Sequence, residues 1–437
     1  MKRPSLALSY ASPAPLAVAR LAYNDAWPLV MHVDLNSCFA TVEQQARPLL
    51  RGRPVGIANR RTDQTGLVTV SYEAKARGVR LGMKVREARA LCPDLVVLES
   101  DPTKYRYIYH RMMAIMSEYS PTFAMKSIDE GVIDFADSPL FAQGRNLSKQ
   151  EVEIEMVRLG HEIKRRLREE IGCWMRCNVG IAPNRFLAKT AAGLHKPDGL
   201  DVITCDNLRQ VLGGLELQDL TGIARRNEHR LNAVGIYTPL EMLDASPAAL
   251  HVAFRSINGE CWHQRLRGWE VDDVVYDLKT IGRQYVLETR QLDRRQLLQR
   301  LHHLCESVGA KLRGQGKSAR GVAVYARVYG APRWKSHLLA PLPFYSDEAI
   351  WRVAARLFLG APATGVREIS VHCYHLHDGV ADQMSLFGDE LAREQARVSA
   401  VDEINQRYGD RTIHSADTLG TGMYIKQKIP FGSTRYF

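Results

Sequence analysis

Asp34 closes an apolar run, Leu29-Val30-Met31-His32-Val33. That is the form in which a buried strand delivers an acid to the edge of a sheet. A second such place is Ser127-Ile128-Asp129-Glu130-Gly131-Val132-Ile133-Asp134-Phe135, where two adjacent acids sit between apolar residues. Burying three carboxylates near each other without cations is electrostatically prohibitive. Two hard divalent cations would turn that liability into a site. Held about 3.5–4 Å apart by oxygen ligands, they clamp the attacking and leaving oxygens of a phosphoryl displacement. Acids flanked by apolar residues also serve as strand-end caps, and spacing alone leaves both readings open.

Between the acids, Gly66 to Val79 reads as a strand running into a short helix. Tyr72 and Lys75, three apart, share a face of that helix and could both reach a triphosphate. Cys177 to Lys189 is again strand, turn, helix, followed by Leu194-His195-Lys196-Pro197-Asp198-Gly199. Taken alone, Lys189 and Lys196 read as solvent-facing helix charges.

These segments belong to a chain of 437 residues, 45% hydrophobic and 24% charged. That composition excludes a disordered chain, a coiled coil and a collagen, and the length asks for about three domains. No apolar run approaches the roughly 20 residues of a membrane span. Eight Cys without zinc-finger spacing read as reduced cytosolic thiols. The Pro/Ala/Ser-rich stretch to Trp27 reads as a flexible, dispensable arm.

The net charge of +11 is unevenly spread. From Lys279 to Lys335 thirteen Lys and Arg face three acids, a net of +10. Such clustering points to a polyanion, because counterion release favours binding. Between Ile281 and Leu376 the periodicities are those of strand over Ile281–Thr289, helix over Arg294–Arg313, strand over Gly321–Tyr329, strand over Trp334–Leu339, helix over Asp347–Leu359 and strand over Val366–Leu376. The order β-α-β-β-α-β predicts one sheet backed by two helices.

The combination is more specific than its parts. Val33-Asp34-Leu35-Asn36-Ser37-Cys38-Phe39-Ala40-Thr41-Val42-Glu43, Ser71-Tyr72-Glu73-Ala74-Lys75, Ser127-Ile128-Asp129-Glu130 and Gly180-Ile181-Ala182-Pro183-Asn184-Arg185-Phe186-Leu187-Ala188-Lys189 closely resemble the Y-family translesion DNA polymerases, in that family's order and separations. The bacterial polymerase IV and polymerase V catalytic-subunit branch is the nearest, from about Leu29 to Phe387.

The resemblance implies a multidomain α+β fold, a right-hand polymerase with a ferredoxin-like palm, small fingers, a helical thumb with a helix-hairpin-helix, and a βαββαβ little finger. It implies metal binding by Asp34, Asp129 and Glu130, with the Leu35 carbonyl as a further ligand, and two Mg²⁺ ions for which Mn²⁺ can substitute. Phe39 matches the steric gate that packs where a ribose 2′-hydroxyl would sit. Tyr72, Lys75 and Lys196 match nucleotide-binding positions. Many members carry Arg where this chain has Lys75, so contact there is a point charge rather than a fork.

Leu220-Thr221-Gly222-Ile223-Ala224 with Leu231, Val234 and Gly235 looks like a helix-hairpin-helix, which offers backbone amides to DNA phosphate. Gly222 and Ala224 would contact DNA there, Ala224 standing where Gly is usual, and Arg283 and Arg320 would do so in the basic domain. Gln383-Met384-Ser385-Leu386-Phe387 is similar to the bacterial sliding-clamp-binding peptide, with Gln383, Leu386 and Phe387 as anchors.

The expected division is an arm at 1–27, palm at 28–37 and 101–200, fingers at 38–100, thumb at 201–270, linker at 271–280, little finger at 281–377, and a tail at 378–437 carrying the motif 383–387. The implied partners are primer-template DNA, deoxynucleoside triphosphates and the sliding clamp, with a place for damage-response regulatory subunits, in the bacterial cytoplasm at the nucleoid. Two rivals are a catalytically silent accessory DNA-binding protein and a nucleotide cyclase. Three intact acids argue against the first, and the hairpin, basic domain and clamp peptide against the second.

Overall fold

The computed structural model describes residues 21–141, 147–274, 277–289, 291–379 and 389–425. They fall into two compact units, 21–274 and 277–425.

The first unit starts with β1 (Val30–Leu35) and α1 (Cys38–Ala46). A small sheet follows from β2 (Val55–Ala58) and β3 (Leu67–Val70), α2 (Tyr72–Ala76), α3 (Val85–Leu91) and β4 (Val96–Glu99), in the order β3-β2-β4. It has its own modest core around Ala58, Leu67, Val70, Val79 and Leu95. The chain returns through α4 (Pro102–Ser117), whose N-cap Asp101 accepts from two backbone amides, to β5 (Phe123–Met125) and β6 (Glu130–Asp134). Next come α5 (Lys149–Arg166), opened by a Ser148/Glu151 capping box, β7 (Cys177–Ala182), α6 (Arg185–Leu194) and β8 (Leu200–Val202).

Together these make a five-stranded sheet ordered β5-β6-β1-β7-β8. The central position of β1 explains its apolar sequence, since residues on both faces are covered. Five short helices complete the unit, α7 (Leu208–Gly213), α8 (Arg225–Asn232), α9 (Pro239–Asp244), α10 (Pro247–Phe254) and α11 (Asn258–Arg265). Their core is continuous with the buried face of α6 through Phe186, Leu187, Ala191 and Trp262.

Part of the stretch read as a flexible arm is tied down. Asn24 bonds the backbone of Arg267 and Gly268, and Trp269 Nε1 donates to the Ala22 carbonyl at 2.9 Å.

The second unit has the expected element order. β9 (Thr280–Val286), α12 (Arg294–Gly314), β10 (Lys317–Val328), β11 (Trp334–Phe344), α13 (Asp347–Phe358) and β12 (Val366–Asp378) form an antiparallel sheet ordered β11-β10-β12-β9, with Leu301, Leu304, Val308, Ile350 and Phe358 of the helices in its core. β11 runs through Pro341 and Pro343, five residues past its expected end. An edge strand tolerates the missing amide donors.

A helix not anticipated from the sequence, α14 (Asp389–Tyr408), comes last. From it Asp402 pairs with Arg313, and beyond it Thr418 and the Ser415 amide donate to Glu306 of α12. No helix among the described residues is long and apolar enough to cross a membrane.

Candidate active site

β1 pairs antiparallel with β6, with Asp34 opposite Glu130. The end of one strand is therefore the beginning of the next, so acids 96 positions apart in sequence arrive at one sheet edge. The Leu35 amide donates to the Asp129 carbonyl at 2.8 Å, which fixes the turn bearing the middle acid. The edge position leaves the side chains of Asp34 and Glu130 20% and 17% exposed, where the sequence reading had them buried.

Each of these two carboxylates has a lysine partner. Lys196 Nζ pairs with Asp34 Oδ2. Lys189 Nζ lies 2.8 Å from Glu130 Oε1 and 2.6 Å from Oε2. The buried His32 ring adds a third contact, Nε2 to Glu130 Oε2 at 3.1 Å. An ionised carboxylate only accepts, so Nε2 carries the proton. His32 Nδ1 is buried with no hydrogen-bond partner. Burial opposes ionisation of Glu130, but the bond and charge of His32 and the contact of Lys189 outweigh it and bring the carboxyl down to about 2.

Asp129 behaves oppositely. Burial, then the charges of Asp34 and Glu130, raise its carboxyl above the usual range although Ser127 Oγ donates to it. Ligand atoms of His32, Asp34 and Glu130 lie within 4.8 Å of one another, and Asp129 stands outside that cluster. Oxygen donors that repel each other and draw in ammonium groups suit a hard divalent cation. The donor chemistry fits such an ion.

The positions expected to bind nucleotide come together around Asp34. Ser71 caps α2 through its side chain, and Lys75 Nζ lies 4.2 Å from the Tyr72 ring centroid, so the two share a face. Burial and the nearby Lys196 charge depress the Lys75 ammonium, with Asp34 opposing them. Burial and Asp34 raise the Tyr72 hydroxyl. Phe39 on α1 is only 3% exposed and stacks on Tyr105 of α4 at 4.3 Å and 9°. Tyr105 is anchored behind it, its hydroxyl donating to the buried Glu43 at 3.2 Å.

Gly222 has φ +98°, a conformation that favours glycine, and Ala224 is the N-cap of α8. Among the described residues a cavity of about 510 Å³ runs from His32 and Lys189 to Gly222, Arg230 and Trp262. In the second unit Arg283 follows Ile281 in register on the helix-facing side of β9, in reach of the charges of Asp410 and Arg411. Arg320 Nε donates to the Ala340 carbonyl at 3.1 Å. Gln383, Leu386 and Phe387 lie outside the described residues.

Sequence reasoning missed the roles of His32, Lys189 and Tyr105. Lys189 stands in the strand-turn-helix motif that leads into Lys196, but nothing there sets it apart from a solvated helix lysine.

Residues 33–193 match the impB/mucB/samB family, and residues 278–386 match the impB/mucB/samB family C-terminal domain. A DNA polymerase IV from Moorella thermoacetica is 33% identical over 409 residues, covering 90% of this chain and 97% of that protein. DNA polymerase IV 1 of Bacillus subtilis is 28% identical, covering 90% and 93%. Among solved structures, a Y-family DNA polymerase chimera, Dbh-Dpo4(243-245)-Dbh, superposes with a TM-score of 0.67 at 22% identity, over 80% of this chain and 99% of that one. That last likeness speaks to the fold. With a relative one-third identical along nine-tenths of its length and both family segments in order, the chain belongs to the impB/mucB/samB family, the Y-family translesion DNA polymerases.

Proposed function

We propose that this protein extends DNA primers past damaged template bases by two-metal nucleotidyl transfer and is recruited by the sliding clamp. The observation that carries the reading is the meeting of Asp34, Asp129 and Glu130 at one end of β1 and β6, beside Tyr72, Lys75 and Lys196. In the reaction the primer 3′-oxygen attacks the α-phosphorus of a deoxynucleoside triphosphate and pyrophosphate leaves. Two Mg²⁺ ions, or Mn²⁺ in their place, when bound supply charge neutralisation and ease loss of the hydroxyl proton.

The three carboxylates and the Leu35 carbonyl hold that charge at the sheet edge. Tyr72, Lys75 and Lys196 grip the triphosphate, which orients the α-phosphorus. The Phe39 edge excludes a 2′-hydroxyl. Among the described residues no side chain stands as a dedicated base, and metal activation would make one unnecessary. The palm is assigned to 28–37 and 101–200, the fingers to 38–100, the thumb to 201–270 and the little finger to 281–377, with Gly222, Ala224 and Arg320 as DNA contacts and Arg283, which faces the helices of its own unit, left out of that set. The clamp engages Gln383, Leu386 and Phe387, and synthesis takes place in the cytoplasm.

The test is primer extension with Mg²⁺ across an undamaged and an abasic template. The parent protein passes the abasic site. Asp129→Ala or Glu130→Ala lowers extension on both templates by about 10³-fold or more, the scale on which a catalytic electrostatic group acts. Extension that persists in those variants removes the metal assignment, and a parent that stalls at the lesion removes the translesion reading.

A further inference from the structure

Asp34 and Glu130 are both engaged. Both oxygens of Glu130 lie within 2.8 Å of Lys189 Nζ, and Asp34 is paired with Lys196. A divalent cation that takes these carboxylates must first displace two ammonium groups. A displaced, partly covered ammonium keeps its stability only by gaining another anion, because breaking such a pair otherwise strands a charge. Lys75, close enough to Lys196 to be depressed by its charge, makes a displaced Lys196 still more demanding of an anion.

Phosphate is the anion the reaction brings. We propose that Lys189 and Lys196 are placeholder cations, exchanged for divalent metal at Glu130 and Asp34 and handed on to phosphate oxygens of primer and nucleotide. This rests on the nucleotidyl-transfer reading of the site. His32 Nε2 remains bonded to Glu130 Oε2 through the exchange and keeps the carboxylate aimed at the edge.

The exchange makes metal and nucleotide binding depend on each other. Metal frees Lys196 for the triphosphate, and the triphosphate removes Lys196 from the metal's ligand. Such coupling is reciprocal, each ligand tightening the other by the same factor. A lysine that merely stabilised the fold would weaken metal binding when removed. A placeholder does the opposite.

The experiment is Mn²⁺ titration of the full-length protein without DNA, followed by electron paramagnetic resonance of free Mn²⁺ and repeated with a non-hydrolysable deoxynucleoside triphosphate. Lys189→Met and Lys196→Gln should bind Mn²⁺ about tenfold more tightly than the parent when nucleotide is absent, within the roughly 5–150-fold of typical couplings. In Lys196→Gln the nucleotide should no longer tighten Mn²⁺ as it does in the parent. Lys196 is 35% exposed, so its replacement leaves the fold intact, and circular dichroism verifies this. Mn²⁺ affinity unchanged or lowered in both variants overturns the exchange while leaving the metal site standing. A parent that binds no Mn²⁺ even with nucleotide and primer-template overturns both.

Discussion

The Phe39 ring lies nearly parallel to that of Tyr105 and is almost wholly covered, so it serves the core besides the gate role proposed for it. Phe39→Ala would confound the two roles, since emptying an aromatic site costs about 3–5 kcal/mol. Phe39→Leu keeps most of the volume at a cost below about 1.5 kcal/mol. Its expected effect is a rise of about tenfold or more in ribonucleotide relative to deoxyribonucleotide incorporation, with thermal unfolding nearly unchanged. Unaltered sugar preference would mean that the ring is only packing.

The residue scale is also where the sequence was least complete. Asp34, Asp129 and Glu130 are legible through the ordered set of motifs that contains them, since acids among apolar residues taken alone also read as strand-end caps. Lys189 is not, because a lysine on an amphipathic helix is the ordinary solvated case. Its partner is 59 positions away, at 2.6 Å. His32 is hidden differently, inside a strand that reads as core.

At the scale of elements, the helix that carries Lys189 depends on one glycine. A Cβ on Gly180 of β7 would stand 2.0 Å from the Ala188 carbonyl oxygen and 2.2 Å from the Ala192 amide nitrogen. Both belong to the backbone of α6, which cannot yield as a side-chain tip can. Gly180→Ala should therefore push α6 off the sheet, destabilise the first unit by about 3 kcal/mol or more and depress primer extension with it. Wild-type stability in denaturant would show that α6 has slack.

Local patterning made such elements readable. Apolar residues at helical spacing mark α12, and alternation marks β12. What escaped was set by tertiary context. β10 begins four residues before Gly321 because Lys317 and Ser318 pair with Asp378 and His377. α14 carries so mixed a sequence that only its docking, through pairs such as Asp402 with Arg313, gives it a place.

Over the whole molecule, charge acquires a different meaning once the fold is known. The stretch from Lys279 to Lys335 nets +10, but the 90 residues from 336 to 425 hold seven Lys and Arg against twelve acids, a net of −5. Several of those acids are spent on the basic stretch. Arg313 pairs with Asp347 and Asp402, and Lys317 with Asp378, while Arg300 turns to Glu288 within the stretch.

Arg333 and Lys335, at the mouth of the open sheet face beside Tyr325, His337 and His372, are better placed for phosphate. Replacing both by Gln should reduce the slope of log K against log salt for duplex binding by about 1–2. Arg300→Gln should instead lower stability, by about 3–5 kcal/mol for a broken buried pair. An unchanged slope in the double variant would place the duplex elsewhere. Recruitment is separable from grip: Leu386→Ala with Phe387→Ala should abolish stimulation by the clamp and spare basal synthesis. Loss of both would reveal a packing role.

The antiparallel junction of β1 and β6 has one more consequence, for how the site comes into being on the ribosome. All three acids are made by residue 130, whereas both lysines that neutralise Asp34 and Glu130 follow residue 188. For the time taken to translate some sixty residues, about 3–12 s at typical synthesis rates, the nascent chain holds its anionic half without the ammonium groups that complete it. The sheet edge closes electrostatically only when α6 and Lys196 emerge, so the order of synthesis, and not only the final fold, dictates when this candidate site is first complete.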